Sequence, residues 1–106
     1  MNDINKMDKR TLHDRVVDGL VARLKTKFPE ERVYDYMEYK DGNRIVGEAD
    51  ILRYPKRDYA IMYEIKTGED NYKKAQEQFR RFQLHHPSIR VKGIYVHPEY
   101  GVRRLR

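Results

Sequence analysis

The sequence predicts a single α/β domain whose elements follow the order α-β-β-β-α-β. Three observations predict this class. Two segments repeat their apolar residues at helical spacing, four segments have the alternation or the apolar content of strands, and 106 residues fit one domain. Because helices and strands of this kind must cover each other's apolar faces, we expect one layer-packed core.

The first helix is predicted over residues 9–28. Its apolar residues recur at spacings of three and four, which is typical of one buried helix face. Pro29 fits the end of this helix. The apolar positions are Leu12, Val16, Val17, Leu20, Val21, Leu24 and Phe28.

Three strands are predicted to follow the first helix. Residues 32–40 are rich in tyrosine and alternate as strands do, and residues 41–43 read as a hairpin turn. Residues 44–54 form the second strand and residues 55–58 the next turn. Residues 59–66 are the most apolar of the three, so we expect them in the centre of the sheet.

A second helix is predicted over residues 72–85, with Asp70 or Asn71 as its cap. Pro87 ends it, and residues 90–97 form the fourth strand. The basic tail after this strand is predicted to be loose. The apolar stripe of the helix consists of Tyr72, Ala75, Phe79 and Phe82.

The composition narrows the class of partner and compartment. The chain has 23 basic and 17 acidic residues, a net charge of +6, which favours a polyanion such as nucleic acid. It has no cysteine, so neither a disulfide nor a thiolate metal site is expected. Without an apolar run of about 20 residues or a signal-peptide core, we expect no membrane association and a cytoplasmic location.

The acidic residues at the ends of the second and third predicted strands are the main indication of a functional site. Residues two apart in a strand share a face, so the side chains of Glu48 and Asp50 point the same way, and so do those of Glu64 and Lys66. A hairpin between these strands brings Asp50 and Glu64 together, where two carboxylates about 4 Å apart repel by several kcal/mol. A fold keeps such a pair when a divalent cation lies between them or when one carboxyl is protonated. Oxygen ligands suit Mg²⁺ or Mn²⁺.

Beside such a cation, Lys66 can take part in the chemistry of phosphate hydrolysis. Its ammonium group can orient or help deprotonate a water nucleophile, and it can offset charge that builds on a phosphate. The alternative is a surface Glu64–Lys66 pair on an exposed strand, which contributes about 0–1 kcal/mol.

The constellation Asp50…Glu64-Ile65-Lys66, with a helix before it and a helix and strand after it, resembles the PD-(D/E)XK nuclease superfamily. The archaeal Holliday-junction resolvases and the RecB-like nuclease domains are the most similar members, over residues 9–97. The resemblance implies a restriction-endonuclease-like core with a mixed central sheet flanked by helices. It also implies that Asp50, Glu64 and the carbonyl of Ile65 bind the metal. Ala49 departs from the proline that is common before the aspartate.

The resemblance extends to one residue of the first helix. Members often carry a metal-directed Glu or His near the start of this helix, followed by apolar residues at positions three, four and seven. His13 has this spacing, and Asp14 is the neighbouring alternative. A core histidine bonded to a backbone carbonyl explains His13 equally well.

Gln78 followed by Phe82 resembles the RecB-like pattern of the second helix. The resemblance implies that the amide of Gln78 lies near the substrate phosphate or near water at the metal. The alternatives are a solvated glutamine, or Gln76 in the same role.

The function expected from the resemblance is a Mg²⁺- or Mn²⁺-dependent deoxyribonuclease that leaves a 5′-phosphate and needs no small-molecule cofactor. A small core favours a junction, flap or free end over a long sequence, in recombination, repair or replication. We expect a homodimer, since a junction offers two cleavage positions. Basic residues predicted to contact phosphates are Lys73, Lys74, Arg80, Arg81, Arg103, Arg104 and Arg106.

Two other functions stay open. The same fold can be a silent nucleic-acid-binding module, or the chain can be a basic RNA-binding accessory protein in which the motif is a coincidence. Tyrosines could stack on unpaired bases, although sheet packing explains those in strands. These tyrosines are Tyr34, Tyr36 and Tyr100. The histidines at 85, 86 and 97 lack zinc-site spacing, so no zinc site is assigned.

Overall fold

The computed structural model describes residues 11–106, which contain two helices and five strands. The predicted start of the first helix at residue 9, and the first ten residues of the predicted domain, lie outside this range. Neither described helix has the length and apolar character needed to cross a membrane. The elements are α1 Leu12–Lys27, β1 Arg32–Asp41, β2 Arg44–Lys56, β3 Tyr59–Ile65, α2 Tyr72–His85, β4 Arg90–His97 and β5 Gly101–Leu105.

The strands form one mixed sheet in the order β1-β2-β3-β4-β5. The pairs β1–β2, β2–β3 and β4–β5 are antiparallel, whereas β3 and β4 are parallel. A parallel pair needs a crossover, and α2 provides it. The predicted α/β class with a mixed sheet flanked by helices is therefore confirmed.

Each helix belongs to a different apolar cluster of the sheet. The α1 cluster includes Val17 and Leu24, and the α2 cluster includes Ala75, Phe79 and Phe82. The two clusters draw on different residues of β2 and β3. The strand residues of the α1 cluster are Ile51, Ile61, Tyr63 and Ile65, and those of the α2 cluster are Tyr39, Ala49, Leu52, Met62, Tyr95 and Leu105.

The prediction of a loose basic tail was wrong. After a turn that ends at Gly101 (φ 87°), residues 101–105 form β5 and pair with β4. Leu105 is only 2% exposed and packs in the α2 cluster. A single buried leucine among arginines gives almost no periodicity, so the strand depends on contacts that the local sequence does not reveal.

Two smaller predictions also need correction. Strand β2 continues to Lys56, with a register shift between Arg53 and Lys56, so Pro55 lies in the strand and not in a turn. Asn71 holds the N-cap position of α2, but its side chain makes no capping hydrogen bond. Its backbone N–H instead donates to the hydroxyl of Tyr95 at 3.2 Å.

Candidate active site

Asp50 lies where β2 and β3 separate. The pairing of these strands runs to Ile51 opposite Tyr63, and the Asp50 carboxylate then accepts the backbone N–H of Ile65 at 2.8 Å. The side chain thus takes the hydrogen bond that a neighbouring strand would otherwise provide. Asp50 is 8% exposed, so its carboxylate is held at this opening with little freedom.

Glu64 is fully buried next to Asp50. Within the described chain, neither of its carboxylate oxygens has a hydrogen-bond partner, and its exposure is 0%. Burial raises the pKa of Glu64 well above its usual range, the charge of Asp50 raises it further, and Lys66 opposes both. A buried carboxyl without a partner therefore carries a proton at neutral pH unless a cation replaces it.

The ring and hydroxyl of Tyr39 lie over Gly47, which leaves room for them because it has no side chain. The two residues are opposite each other in β1 and β2, and a Cβ at Gly47 would lie 2.2 Å from the tyrosine hydroxyl oxygen. Burial raises the pKa of Tyr39, while the charge of Arg81 lowers it and that of Glu64 raises it. The glycine that precedes the acidic run thus has a packing reason, and Tyr39 lies within the fields of both Glu64 and Arg81.

Lys66 and Gln78 contact each other directly. The Lys66 ammonium donates to the Gln78 amide oxygen at 2.8 Å, and the Lys66 backbone N–H donates to the carbonyl of Val96 at 3.0 Å. Gln78, and not Gln76, makes this contact, so the amide is engaged at the site. The hydrogen bond holds the ammonium group near Glu64, whose pKa the Lys66 charge lowers, and it uses one of three N–H donors.

His97 holds the loop that follows Lys66. It is 2% exposed, and its Nε2 donates to the carbonyl of Gly68 at 2.7 Å. Its Nδ1 accepts the backbone N–H groups of Glu99 at 3.0 Å and Tyr100 at 3.2 Å. The carbonyl can only accept, so the ring must be the Nε2–H tautomer. No pattern in the sequence indicated this structural role of His97.

His13 is the residue of α1 that reaches Asp50. Its Nε2 lies 3.2 Å from an Asp50 carboxylate oxygen, and its side chain is 30% exposed. The bond expected of a core histidine, to a backbone carbonyl, is replaced by a contact with a carboxylate. Asp14 accepts the hydroxyl of Tyr36 instead, and this hydrogen bond lowers the pKa of Asp14. Between the two helix candidates, His13 is therefore the one in contact with Asp50.

Tyr36 has a left-handed backbone at this site. Its φ is 49°, and it falls opposite Asp50 because its neighbours pair with Ile51 and Ala49. A non-glycine residue in this region costs on the order of 1–3 kcal/mol and often marks a functional site. Tyr36 was predicted as a base-stacking residue. The sequence around it contains no pattern that indicates a strained backbone.

The donor set fits a hard divalent cation. Residues 11–106 contain no group of three His, Asp or Glu side chains placed to hold a metal ion. Mg²⁺ nevertheless needs only one or two carboxylates, since it keeps several waters and also takes oxygens from phosphates. Asp50 and the unpartnered oxygens of Glu64 match that demand. The ligand roles of His13 and of the Ile65 carbonyl stay predictions.

The basic residues of α2 divide into two rows. Lys74, Gln78 and Arg81 are spaced by four and three, so they share one helix face with the amide that contacts Lys66. Lys73 and Arg80 lie on a different row, and Arg80 donates to the carbonyl of Arg106 at 3.2 Å. All four basic side chains are exposed. Only the row of Lys74 and Arg81 extends from the candidate site.

Comparison with known proteins places the fold but not the activity. No protein-family model and no curated protein matches the sequence. The chain is similar to the solved crystal structure of SSO0001, with a TM-score of 0.56 and 20% sequence identity over 90% of this chain and 50% of that chain. It thus spans half the length of that protein, and a likeness at this identity shows a shared α/β fold alone.

Proposed function

We propose that the protein is a Mg²⁺- or Mn²⁺-dependent deoxyribonuclease. The observation that carries this proposal is the fully buried carboxyl of Glu64, whose oxygens lack partners beside Asp50. A pair of carboxyls in such surroundings is costly for a fold that only needs stability. Lys66, bonded to Gln78, adds a fixed positive charge at the same place.

The side chains divide the work of phosphodiester hydrolysis. When bound, a divalent cation supplies positive charge and makes water a stronger nucleophile at neutral pH. Asp50, fixed by the N–H of Ile65, and Glu64 are the groups that would hold it. Lys66 donates hydrogen bonds to a phosphate oxygen, and Gln78 orients its ammonium group and retains two amide N–H donors.

The substrate class follows from size and charge. A net charge of +6 and a basic row beside the site favour a polyanion. The surface of such a small domain is too limited for long base readout, so the proposal is cleavage directed by a junction, flap or free end. A homodimer and a role in recombination, repair or replication belong to the same proposal.

The test compares labelled linear, flapped and four-way-junction DNA in Mg²⁺, Mn²⁺ or EDTA, with single-stranded RNA as a further substrate. We expect cleavage of DNA with either cation, none in EDTA, and none with Asp50→Asn. Cleavage that persists in EDTA, or in Asp50→Asn at the wild-type rate, would show that another site or a contaminant is responsible.

A silent nucleic-acid-binding module is the second candidate. The observation that favours it is the enclosure of Glu64, which has no exposed surface through which a cation can approach directly. DNA binding without cleavage of any substrate in either cation would select this function over the first.

The two basic rows of α2 should differ in their effect on DNA binding. We expect Lys74→Ala with Arg81→Ala to weaken binding and to reduce the salt slope by about two, because two phosphate contacts are lost. The matched control is Lys73→Ala with Arg80→Ala, which removes the same charge from the other row. Binding isotherms in EDTA at several salt concentrations measure both. Equal losses in the two double variants would indicate non-specific charge and not a row that leads to the site.

Substitution of His13 should separate a metal ligand from a support for Asp50. We expect His13→Glu to retain more Mg²⁺-dependent cleavage than His13→Gln, since Glu keeps an oxygen ligand beside Asp50. Without metal the same variant should melt at a lower temperature, because two carboxylates then face each other. An active, stable His13→Gln beside an inactive His13→Glu would exclude His13 as a ligand.

A further inference from the structure

A cavity of about 510 Å³ lies at the end of β2 away from the candidate active site. Tyr54, in its lining, follows Asp50 by four residues, which corresponds to about 13 Å along a strand. The lining combines two arginines with aromatic and apolar side chains, and no acidic residue of the described chain belongs to it. It consists of Arg32, Tyr34, Met37, Tyr54, Arg57, His86 and Ile89.

The aromatic part of this cavity is preorganised. The rings of Tyr34 and Tyr54 meet edge to face, with centroids 6.0 Å apart and planes at 76°. The guanidinium carbon of Arg32 lies 4.9 Å from the Tyr54 centroid. Stacking leaves the guanidinium N–H donors free to reach an anion. Two tyrosine rings and a guanidinium group therefore line the cavity together.

His86 gives the cavity one polar atom with a defined role. Its Nδ1 donates to the carbonyl of Phe82 at 2.8 Å, and its ring stacks on the Phe82 ring with centroids 3.9 Å apart. Because the carbonyl can only accept, the neutral ring carries its proton on Nδ1. Nε2 is then an acceptor in an orientation that the stack holds fixed.

We propose that this cavity binds an unpaired nucleotide. The base stacks against the tyrosine and methionine surfaces, its N–H groups can donate to His86, and Arg32 and Arg57 bind the flanking phosphates. Stacking on a tyrosine suits any base, so the site reads the unpaired state and not the sequence. The choice of nucleic acid rests on the proposed function, which this site deepens by requiring an unpaired nucleotide at the other end of β2 from the point of cleavage.

Binding in EDTA tests the site without any cleavage. The probe is a fluorescein-labelled oligothymidylate of about twelve nucleotides, within the range of common single-strand sites. It is compared with an abasic oligomer of equal length, followed by anisotropy. We expect Tyr54→Leu to weaken thymidylate binding on the order of tenfold and to leave abasic binding within about twofold.

Tyr59→Leu is the matched control. Tyr59 also carries an arginine over its ring, Arg90 at 5.0 Å, but it does not line the cavity. Arg57→Ala, at an exposed turn, covers the case in which Tyr54→Leu is unstable, and should reduce the salt slope for both oligomers by about one.

Two results would overturn the site. One is equal affinity of the wild-type protein for thymidylate and abasic oligomers, and the other is an equal effect of Tyr54→Leu and Tyr59→Leu. Because no metal is present in this assay, the absence of a thymidylate preference in the wild-type protein tells against the cavity alone. A failure of cleavage with the preference intact tells against the proposed nuclease alone. An oligouridylate of the same length distinguishes RNA from DNA as the source of the nucleotide.

Discussion

Glu64→Gln should abolish cleavage while it stabilises the metal-free protein. The amide has the shape of the protonated carboxyl but cannot carry the negative charge that a cation needs. We expect a loss of about a thousandfold or more in single-turnover rate, since several kcal/mol of charge stabilisation disappear. DNA binding should be retained or become tighter, because an acidic group has left a site for polyanions.

The pH dependence of stability gives this prediction a second readout. Burial raises the pKa of Glu64 above its usual range, so between its unfolded and folded values the native state binds one proton more than the unfolded state. The stability contributed by that proton is full below the unfolded pKa and is lost as pH rises through the folded pKa, at up to about 1.4 kcal/mol per pH unit. The melting temperature of the wild type should therefore fall as pH rises above the usual pKa range of carboxyl groups. The melting temperature of Glu64→Gln should not show this fall.

Mg²⁺ links the two readouts. A cation that replaces the proton of Glu64 should bind more tightly as pH rises and should raise the melting temperature of the wild type alone. Glu48→Gln is the matched control, because Glu48 lies two residues before Asp50 and is exposed. If the wild type and Glu64→Gln gain the same melting temperature from Mg²⁺, the cation binds elsewhere on the protein.

Much of the fold could be predicted because its elements are regular. Alternation and three-four spacing located both helices and the first four strands to within a few residues, and the α2 stripe of Ala75, Phe79 and Phe82 is buried as expected. Strand β5 could not be found in this way, since only Leu105 among its residues is buried. Arg53 was missed as well. It is 9% exposed, between Glu31, Tyr63 and the ring of Phe28, and a lone arginine in a strand does not reveal its partners.

The candidate site, like the fold, could be predicted only in part. Strand geometry was enough to place Asp50, Glu64 and Lys66 at one end of the sheet. Gln78 contacts Lys66, while its predicted place near the substrate phosphate or the metal-bound water stays a prediction. The strained backbone of Tyr36 had no signal in the sequence. A positive φ in a tyrosine is imposed by surrounding contacts, and these exist only once α1 and β1 have packed.

Lys66 is expected to act on the chemical step more than on metal affinity. Lys66→Met keeps the aliphatic stem and removes the charge, and we expect the single-turnover rate at saturating Mg²⁺ to fall by about 10²–10⁴-fold. The apparent metal affinity should change far less, because Asp50 and Glu64 remain. Gln78→Met leaves the charge but removes its hydrogen-bond partner, so we expect a smaller loss from a misplaced ammonium group.

Lys66→Arg separates the two roles open to the lysine. Arginine stays protonated at any accessible pH, so it can offset phosphate charge but cannot take a proton from water. In this structure Lys66 donates to Gln78 beside the buried Glu64, which is the arrangement of a fixed positive charge. We therefore expect Lys66→Arg to recover part of the rate that Lys66→Met loses. Equal rates for the two variants would instead assign proton transfer to Lys66, and full rescue of Lys66→Met by higher Mg²⁺ would reduce the residue to a support for the metal site.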